Sequence, residues 1–263
     1  MKGVDGGRSI DWGRTSPDYE EHRPGPPPSF YEQLERRGVG LSGQSLLDLG
    51  TGTGLVAREF SRRGARVAGC DISAEQIVAA RLAAQAEGVE VDFREAPAEQ
   101  LPFEDAIFDV AIAMQCWMYF DLKRVIPELR RVVRSEARIV VSHFSFLPRL
   151  DPIARASEAL VLEFNPDWSG ADWDGTIPLP LPRWAREQLE VTDHFVYDEA
   201  IPFTRESWRG RMRALRGMGA TLGPDEIRRF NERHAELLEE STEESFEILH
   251  RIDAYLFRFR ERA

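Results

Sequence analysis

Short apolar runs alternate with helical patterns along the first half of the chain. "SLLDL" (45–49) is an apolar run bounded by glycines, which predicts a buried strand. "LVAREFSRR" (55–63) has helical spacing and stops at Gly64. "ARVAGCDI" (65–72) predicts a second strand. The next helix opens on Ser73, with Gln76 three residues on, and ends at Gly88, which is a capping box and a glycine stop. "VEVDFREA" (89–96), "FDVAIAMQ" (108–115) and "ARIVVSHF" (137–144) predict three more strands, the last two separated by a helix over 121–133 despite Pro127. Strand–helix alternation of this kind implies right-handed βαβ units and a parallel sheet covered on both faces.

The regularity breaks at both ends of this block. Residues 1–29 are polar and proline-rich and read as an irregular arm, followed by a short helix at 29–37. Beyond about 147, "DPIARASEALVLEF" (151–164) reads as helix and 165–184 as a loop rich in Pro, Gly and Trp. A strand is expected at 193–203, mostly helix over 205–245, and a closing strand at 250–259. Long insertions between late strands usually build the substrate side of an α/β enzyme. The expected organisation is an N-terminal arm (1–40), a ligand-binding core (41–147), a substrate-covering insertion (148–192), and the last strands with inserted helices (193–263).

Composition narrows the class. A hydrophobic share of 42 % over 263 residues suffices for one large domain or a core with a cap. The apolar runs are strand-sized, and the first residues lack the apolar block of a signal peptide, so no membrane partner is expected. Cys70 and Cys116 form no CxxC pair, which argues against a disulfide framework or structural zinc and fits a reducing, cytoplasmic setting. A net charge of −11 argues against a nucleic-acid backbone as partner. "RESWRGRMRALRG" (205–217) is a local basic patch within that balance.

Chemistry concentrates in "LLDLGTGTGLVA" (46–57), a strand–turn–helix whose alternating glycines let backbone approach a ligand closely. A phosphate-binding P-loop needs Lys-Ser/Thr after the last glycine, where Leu55-Val56 stand. A dinucleotide motif starting at Gly50 and Gly52 needs a third glycine where Leu55 stands. Asp48, just before the loop, repels a pyrophosphate and suits a cationic ligand. S-adenosylmethionine, with a sulfonium, an ammonium and no phosphate, meets both conditions. Asp71, about 20 residues past the glycines, stands where an acid takes ribose hydroxyls. The competing readings are a merely tight turn for the glycines and a helix cap for Asp71, with Ser73 as rival for that role.

"LLDLGTGTG", "VAGCDISAEQI", "EAPAEQLPFEDAIFDVAIAMQCWMYFD" and "ARIVVSHF" together resemble class I S-adenosylmethionine-dependent methyltransferases over about residues 12–147. The tail, with "FTRESWRGRMRALRGMGATLGPDEIRRF" and "LHRIDAYLF", looks like a subgroup acting on small molecules. The resemblance implies a doubly wound, seven-stranded, Rossmann-like α/β sheet with its last strand antiparallel and a helical cap over the substrate site. It implies that Asp48, Gly50, Thr51 and Gly52 line the methionine part of the donor and that Asp71 takes the ribose. It implies further that Ile72 packs on the adenine, Ala98 and Glu99 sit near its amino group, and Gln115 faces the sulfonium. Tyr19 and Arg23 fall in an arm that folds over the donor in relatives; a solvated tail is the alternative. Pro97 stands where the family often has Asp, and "CWMYF" puts Met118 where relatives often carry a histidine.

The resulting expectation is methyl transfer from S-adenosylmethionine, leaving S-adenosylhomocysteine, to a small-molecule oxygen, either hydroxyl or carboxylate. Other readings on the same residues are an inactive donor-binding regulator, an N-methyltransferase, and a nicotinamide-dependent oxidoreductase. A hydroxyl acceptor wants a general base, and His143 at the end of the fifth strand is the candidate; a strand-end histidine with no role is the alternative. A carboxylate acceptor wants only cationic anchors, which makes Arg209, in the run Arg205, Arg209, Arg211, Arg213 and Arg216, a candidate clamp; a solvated face paired with acids is the alternative. Trp117, Phe144, Phe146, Trp168, Trp173 and Trp184 are candidates for an aromatic wall, several of them simply core. His250 reads as packing. No acidic triplet with metal-ligand spacing appears, so no metal is expected. Oligomeric state is not legible.

Overall fold

Strand β1 (Ser45–Leu49) lies in the interior of a seven-stranded sheet whose order is β3-β2-β1-β4-β5-β7-β6. The other strands are β2 (Arg66–Asp71), β3 (Val91–Glu95), β4 (Phe108–Met114), β5 (Val133–Phe146), β6 (Leu189–Thr204) and β7 (Ser245–Phe259). This is a computed structural model, and it describes residues 4–5, 7–10, 22 and 24–261. The expected arm residues Tyr19 and Arg23 lie outside the described residues.

The β1 register explains the order. Leu47 pairs with Ala68 of β2 and with Ala111 of β4, both parallel. The chain therefore steps outward from β1 to β2 and β3, then returns to the other side of β1 as β4. That reversal opens a crevice at the carboxyl ends of β1 and β4, where open α/β sheets bind ligands. The final strand pairings run the other way. The Leu147 amide donates to the Leu249 carbonyl while His143 meets Asp253, so partner numbers move in opposite directions. β7 is thus antiparallel to the rest, as the resemblance implies.

Helices α1 (Pro28–Glu35), α2 (Leu55–Arg62), α3 (Ala74–Glu87) and α4 (Leu122–Val132) accompany these strands. The rival cap readings at α3 are settled by geometry: the Ser73 hydroxyl accepts from the Gln76 amide, and Gly88 closes the helix in a left-handed conformation. Along β1 the side chains alternate, so Leu47 and Leu49 join the core under α4 while Asp48 faces the other way. That core gathers Ile139 and Val141 of β5, Phe257 of β7 and Leu181.

Three strands start earlier than the hydrophobic pattern predicts. β6 begins at Leu189 rather than 193, and β7 at Ser245 rather than 250. β6 is an edge strand with many exposed positions, so its alternation is weak. β5 begins at Val133 rather than 137, directly after α4, and carries a register shift opposite Phe108 and Val110.

The chain forms two compact units. One holds Gly25–Phe144, Ile177–Tyr197 and the chain from Ile252 onward. The other holds Ser145–Thr176 and Asp198–Arg251 with the described part of the N-terminal stretch. The insertion expected at 148–192 is therefore shared between the two. In the second unit α5 (Pro152–Phe164), α6 (Arg205–Arg213) and α7 (Pro224–Ser241) pack together. Ser157 of α5 accepts from Trp208 Nε1 and meets His234 Nε2, both at 2.9 Å. No helix among the described residues is long and apolar enough to cross a membrane.

Candidate active site

The turn after β1 is pinned to β2 from two directions. The Thr51 amide donates to the Cys70 carbonyl at 2.9 Å, and the Gly52 amide donates to Asp71 Oδ2 at 3.0 Å. Gly50 and Gly52 both adopt positive φ, +58° and +56°, which L side chains rarely tolerate. They differ in what surrounds them. A Cβ on Gly50 would come within 2.9 Å of the Cys116 side chain, so the turn is packed there. A Cβ on Gly52 would meet only the Gln76 amide oxygen, at 3.8 Å, so that side is open.

Asp48 is 2 % exposed, and its Oδ2 accepts from the Thr51 hydroxyl at 2.6 Å. Burial pushes its carboxyl up to about 7, the neighbouring Asp71 adds to the rise, and the Thr51 hydrogen bond only partly offsets it. Asp71 is also raised by burial, against the amides of Ser73 and Gly52 that hold it. Both its oxygens already serve the fold: Oδ2 takes the Gly52 amide and Oδ1 the Ser73 amide, at 2.9 Å. Asp71 is therefore not the cap of α3 but the clasp of the glycine turn. Ile72 beside it is 63 % exposed, an apolar side chain left uncovered.

The other predicted donor-side residues fall on the neighbouring strand ends. Ala98 is buried, and Glu99 Oε1 accepts from the Asp121 amide at 2.8 Å. Gln115 follows β4 with φ +56°, an uncommon conformation for a side-chain-bearing residue and a mark of local strain. Its amide donates to the Ser142 carbonyl at 2.9 Å and its Nε2 to the Phe144 carbonyl at 2.5 Å, tying the ends of β4 and β5 together.

His143 is the sharpest feature on the acceptor side. It stands near the end of β5 with its side chain 20 % exposed, and its Nδ1 lies 3.0 Å from Asp253 Oδ1. The same oxygen accepts from the His143 amide at 3.0 Å. Asp253 is fully buried, and its Oδ2 has no hydrogen-bond partner among the described residues. Asp253 is the residue the sequence reading misses. Its only local signal is an acid inside the apolar run "HRIDAYLF".

The aromatic candidates divide. Trp117 is buried, with Nε1 donating to the Pro180 carbonyl at 2.7 Å; Phe144 is buried and Trp184 half-buried. Phe146 and Trp168 are core of the second unit, and Trp173 donates to the Thr176 carbonyl. His250 is enclosed by Phe146, Phe203 and Trp208, in line with packing. Arg209 lies on α6 of the second unit, where it donates to Glu206 at 2.9 Å and keeps a buried Nε without a partner. Arg205 binds Thr242, Arg213 binds Asn231 and Glu206, and Arg216 binds Ser169. Arg211 is buried over the Phe146 ring. Among the described residues no group of three or more His, Cys, Asp or Glu stands ready to hold a metal.

The donor-side residues fit S-adenosylmethionine by their own chemistry. A buried carboxyl with no cation beside it among the described residues, an open face at Gly52, an acid at the end of β2 and an uncovered Ile72 suit a cationic adenosyl ligand better than a pyrophosphate. Sheet order, switch-point turn and acids together define a nucleotide-type α/β ligand-binding protein. The family model described as "Methyltransferase domain" matches residues 47–141. A ubiquinone biosynthesis O-methyltransferase of Pseudomonas aeruginosa is 31 % identical over 158 residues, covering 59 % of this chain and 68 % of that protein. A demethylmenaquinone methyltransferase of Thermus thermophilus is 41 % identical over 107 residues, covering 40 % of this chain; the match spans only about half, 49 %, of that protein. The solved structure of YjhP from E. coli matches in fold, with a TM-score of 0.56 and 18 % identity over 94 % of this chain and 99 % of that one. The chain belongs to the class I S-adenosylmethionine-dependent methyltransferases.

Proposed function

We propose that this protein methylates an oxygen of a small-molecule acceptor. The observation that carries the donor half is Asp48: a carboxyl buried at the switch point, answered by a hydroxyl and a backbone group and, among the described residues, by no cation. An unpaired buried charge is costly, and a cationic ligand relieves that cost. Bound there, S-adenosylmethionine supplies a methyl group already activated by its sulfonium.

The chain's own residues then bind and align. Asp48, Gly50, Thr51 and Gly52 hold the methionine end, Asp71 the ribose, Ile72 the adenine face, and Ala98 with Glu99 its amino edge. Gln115 stands on the sulfonium side. Trp117, Phe144 and Trp184 offer apolar contact to the acceptor. Alignment of acceptor, methyl carbon and sulfur contributes most of the acceleration, and His143 receives the proton of a hydroxyl acceptor. The name of one relative, an O-methyltransferase of ubiquinone biosynthesis, supports an oxygen acceptor. A cytoplasmic setting and the absence of nucleic-acid and membrane partners belong to the same proposal.

The experiment is a thermal-shift and calorimetric screen with S-adenosylhomocysteine, NAD and ATP, followed by incubation with labelled donor and a panel of catechols, phenols and aromatic acids. Stabilisation by S-adenosylhomocysteine alone and label transferred to oxygen is the expected result. Stabilisation by NAD instead, or label on nitrogen only, overturns the reading.

A further inference from the structure

Asp253 has no place in the donor site, yet it is fully buried and touches the one candidate base. We infer that Asp253 is a positioning residue that fixes His143 in its Nδ1–H tautomer, so that Nε2 is the proton acceptor and the methyl acceptor is a hydroxyl rather than a carboxylate. This rests on the oxygen-methylation reading above and decides between its two acceptor classes.

The argument starts from what a carboxylate can do. An ionised carboxylate only accepts hydrogen bonds. Asp253 Oδ1 stands 3.0 Å from His143 Nδ1, so a neutral imidazole meeting it must carry its proton on Nδ1. The second contact, from the His143 amide to the same oxygen, holds the strand and the acid in register, so the ring is met from a fixed point. Oδ2 has no partner among the described residues, and no arginine or lysine pairs with Asp253 there. Asp253 Oδ1 meets His143 twice, once at the ring and once at its amide. With Nδ1 donating to the acid, the lone pair of the ring lies on Nε2, the only ring atom left to take a proton.

A carboxylate acceptor arrives without a proton and needs no such device; it would be repelled by Asp253. A hydroxyl acceptor needs it. As the acceptor oxygen bonds to the methyl carbon, the carbon–sulfur bond breaks with its electron pair remaining on sulfur, and the hydroxyl proton passes to His143 Nε2. The charges balance: the sulfonium becomes a neutral thioether and the imidazole becomes an imidazolium paired with Asp253.

The test reads the tautomer directly. Long-range ¹⁵N–¹H NMR of uniformly labelled full-length protein, with the His143 signals assigned by their loss in His143→Gln, should show Nδ1 protonated and Nε2 bare. In Asp253→Asn, whose side-chain amide can donate to Nδ1, the ring should switch to Nε2–H. Transfer to catechol should fall about 10- to 100-fold while affinity for S-adenosylhomocysteine stays unchanged. An Nε2–H tautomer in the unsubstituted protein, an unchanged tautomer in the variant, or aromatic acids methylated at undiminished rate in both variants overturns the inference. Should Asp253→Asn not fold, the tautomer in the unsubstituted protein still decides it. Failure to bind S-adenosylhomocysteine at all would instead overturn the reading on which the inference stands.

Discussion

At the scale of single residues, Asp48 couples ligand, proton and stability. Its carboxyl is pushed up to about 7 in the fold, from 3.8. Between about pH 4 and 7 the unfolded chain therefore holds fewer protons than the folded one, and stability falls as pH rises through that window, by about 4 kcal/mol when complete. Asp48→Asn should then melt higher than the unsubstituted protein at about pH 8 and converge with it near pH 4, while losing donor affinity. Differential scanning calorimetry across pH checks this; parallel pH curves would refute it. The same linkage predicts proton release on loading. Affinity for S-adenosylhomocysteine should weaken below about pH 7, approaching tenfold per unit, and Asp48→Asn should abolish the slope in calorimetric titrations. Asp71 is a harder residue to remove than its ligand role alone implies. Asp71→Ala should weaken donor binding by roughly 1–3 kcal/mol and lower the ligand-free melting temperature as well, because two backbone amides lose their acceptor. Unchanged stability would reduce Asp71 to a ligand contact.

At the scale of elements, legibility follows locality. The β1 strand, glycine turn and α2 helix can be read from consecutive residues because each carries its own signal: apolar run, positive-φ glycines, helical spacing. The α3 cap is legible for the same reason, and Ser73→Ala should cost about 1 kcal/mol in denaturant unfolding, with no loss of donor affinity. Gly52→Ala tests the turn. Its Cβ has space in the protein, so a modest strain cost of about 1 kcal/mol is expected, together with loss of donor binding where the new methyl group meets the ligand. Retained affinity would move the ligand away from this face. The early start of β6 escapes the pattern because edge exposure blurs alternation. The partners of the α6 arginines escape it too. Periodicity shows which arginines share a face, but only the folded chain shows Glu206, Asn231 and Thr242 already holding three of them.

At the scale of the whole molecule, the layered α/β architecture was the most readable property and the acceptor side the least. Alternating strands and helices with one crossover rule leave few topologies, and the strand pairings of the folded chain select the order among them. The His143–Asp253 contact has no such rule behind it. It joins residues 110 positions apart, and neither residue's neighbours announce the other. The proposed donor side draws on strand ends that follow one another along the chain from Asp48 to Gln115; the proposed acceptor side needs the chain to return.

That return has a consequence for how the protein comes into being. The donor turn and His143 precede Ser245–Phe259, the strand that brings Asp253. A nascent chain displays the donor cradle and the imidazole well before it holds the acid that orients the ring. A polypeptide halted ahead of that strand would own a grip for the cosubstrate and a base free to turn. On the proposed assignment, proton abstraction waits for the last of the seven strands to be synthesised.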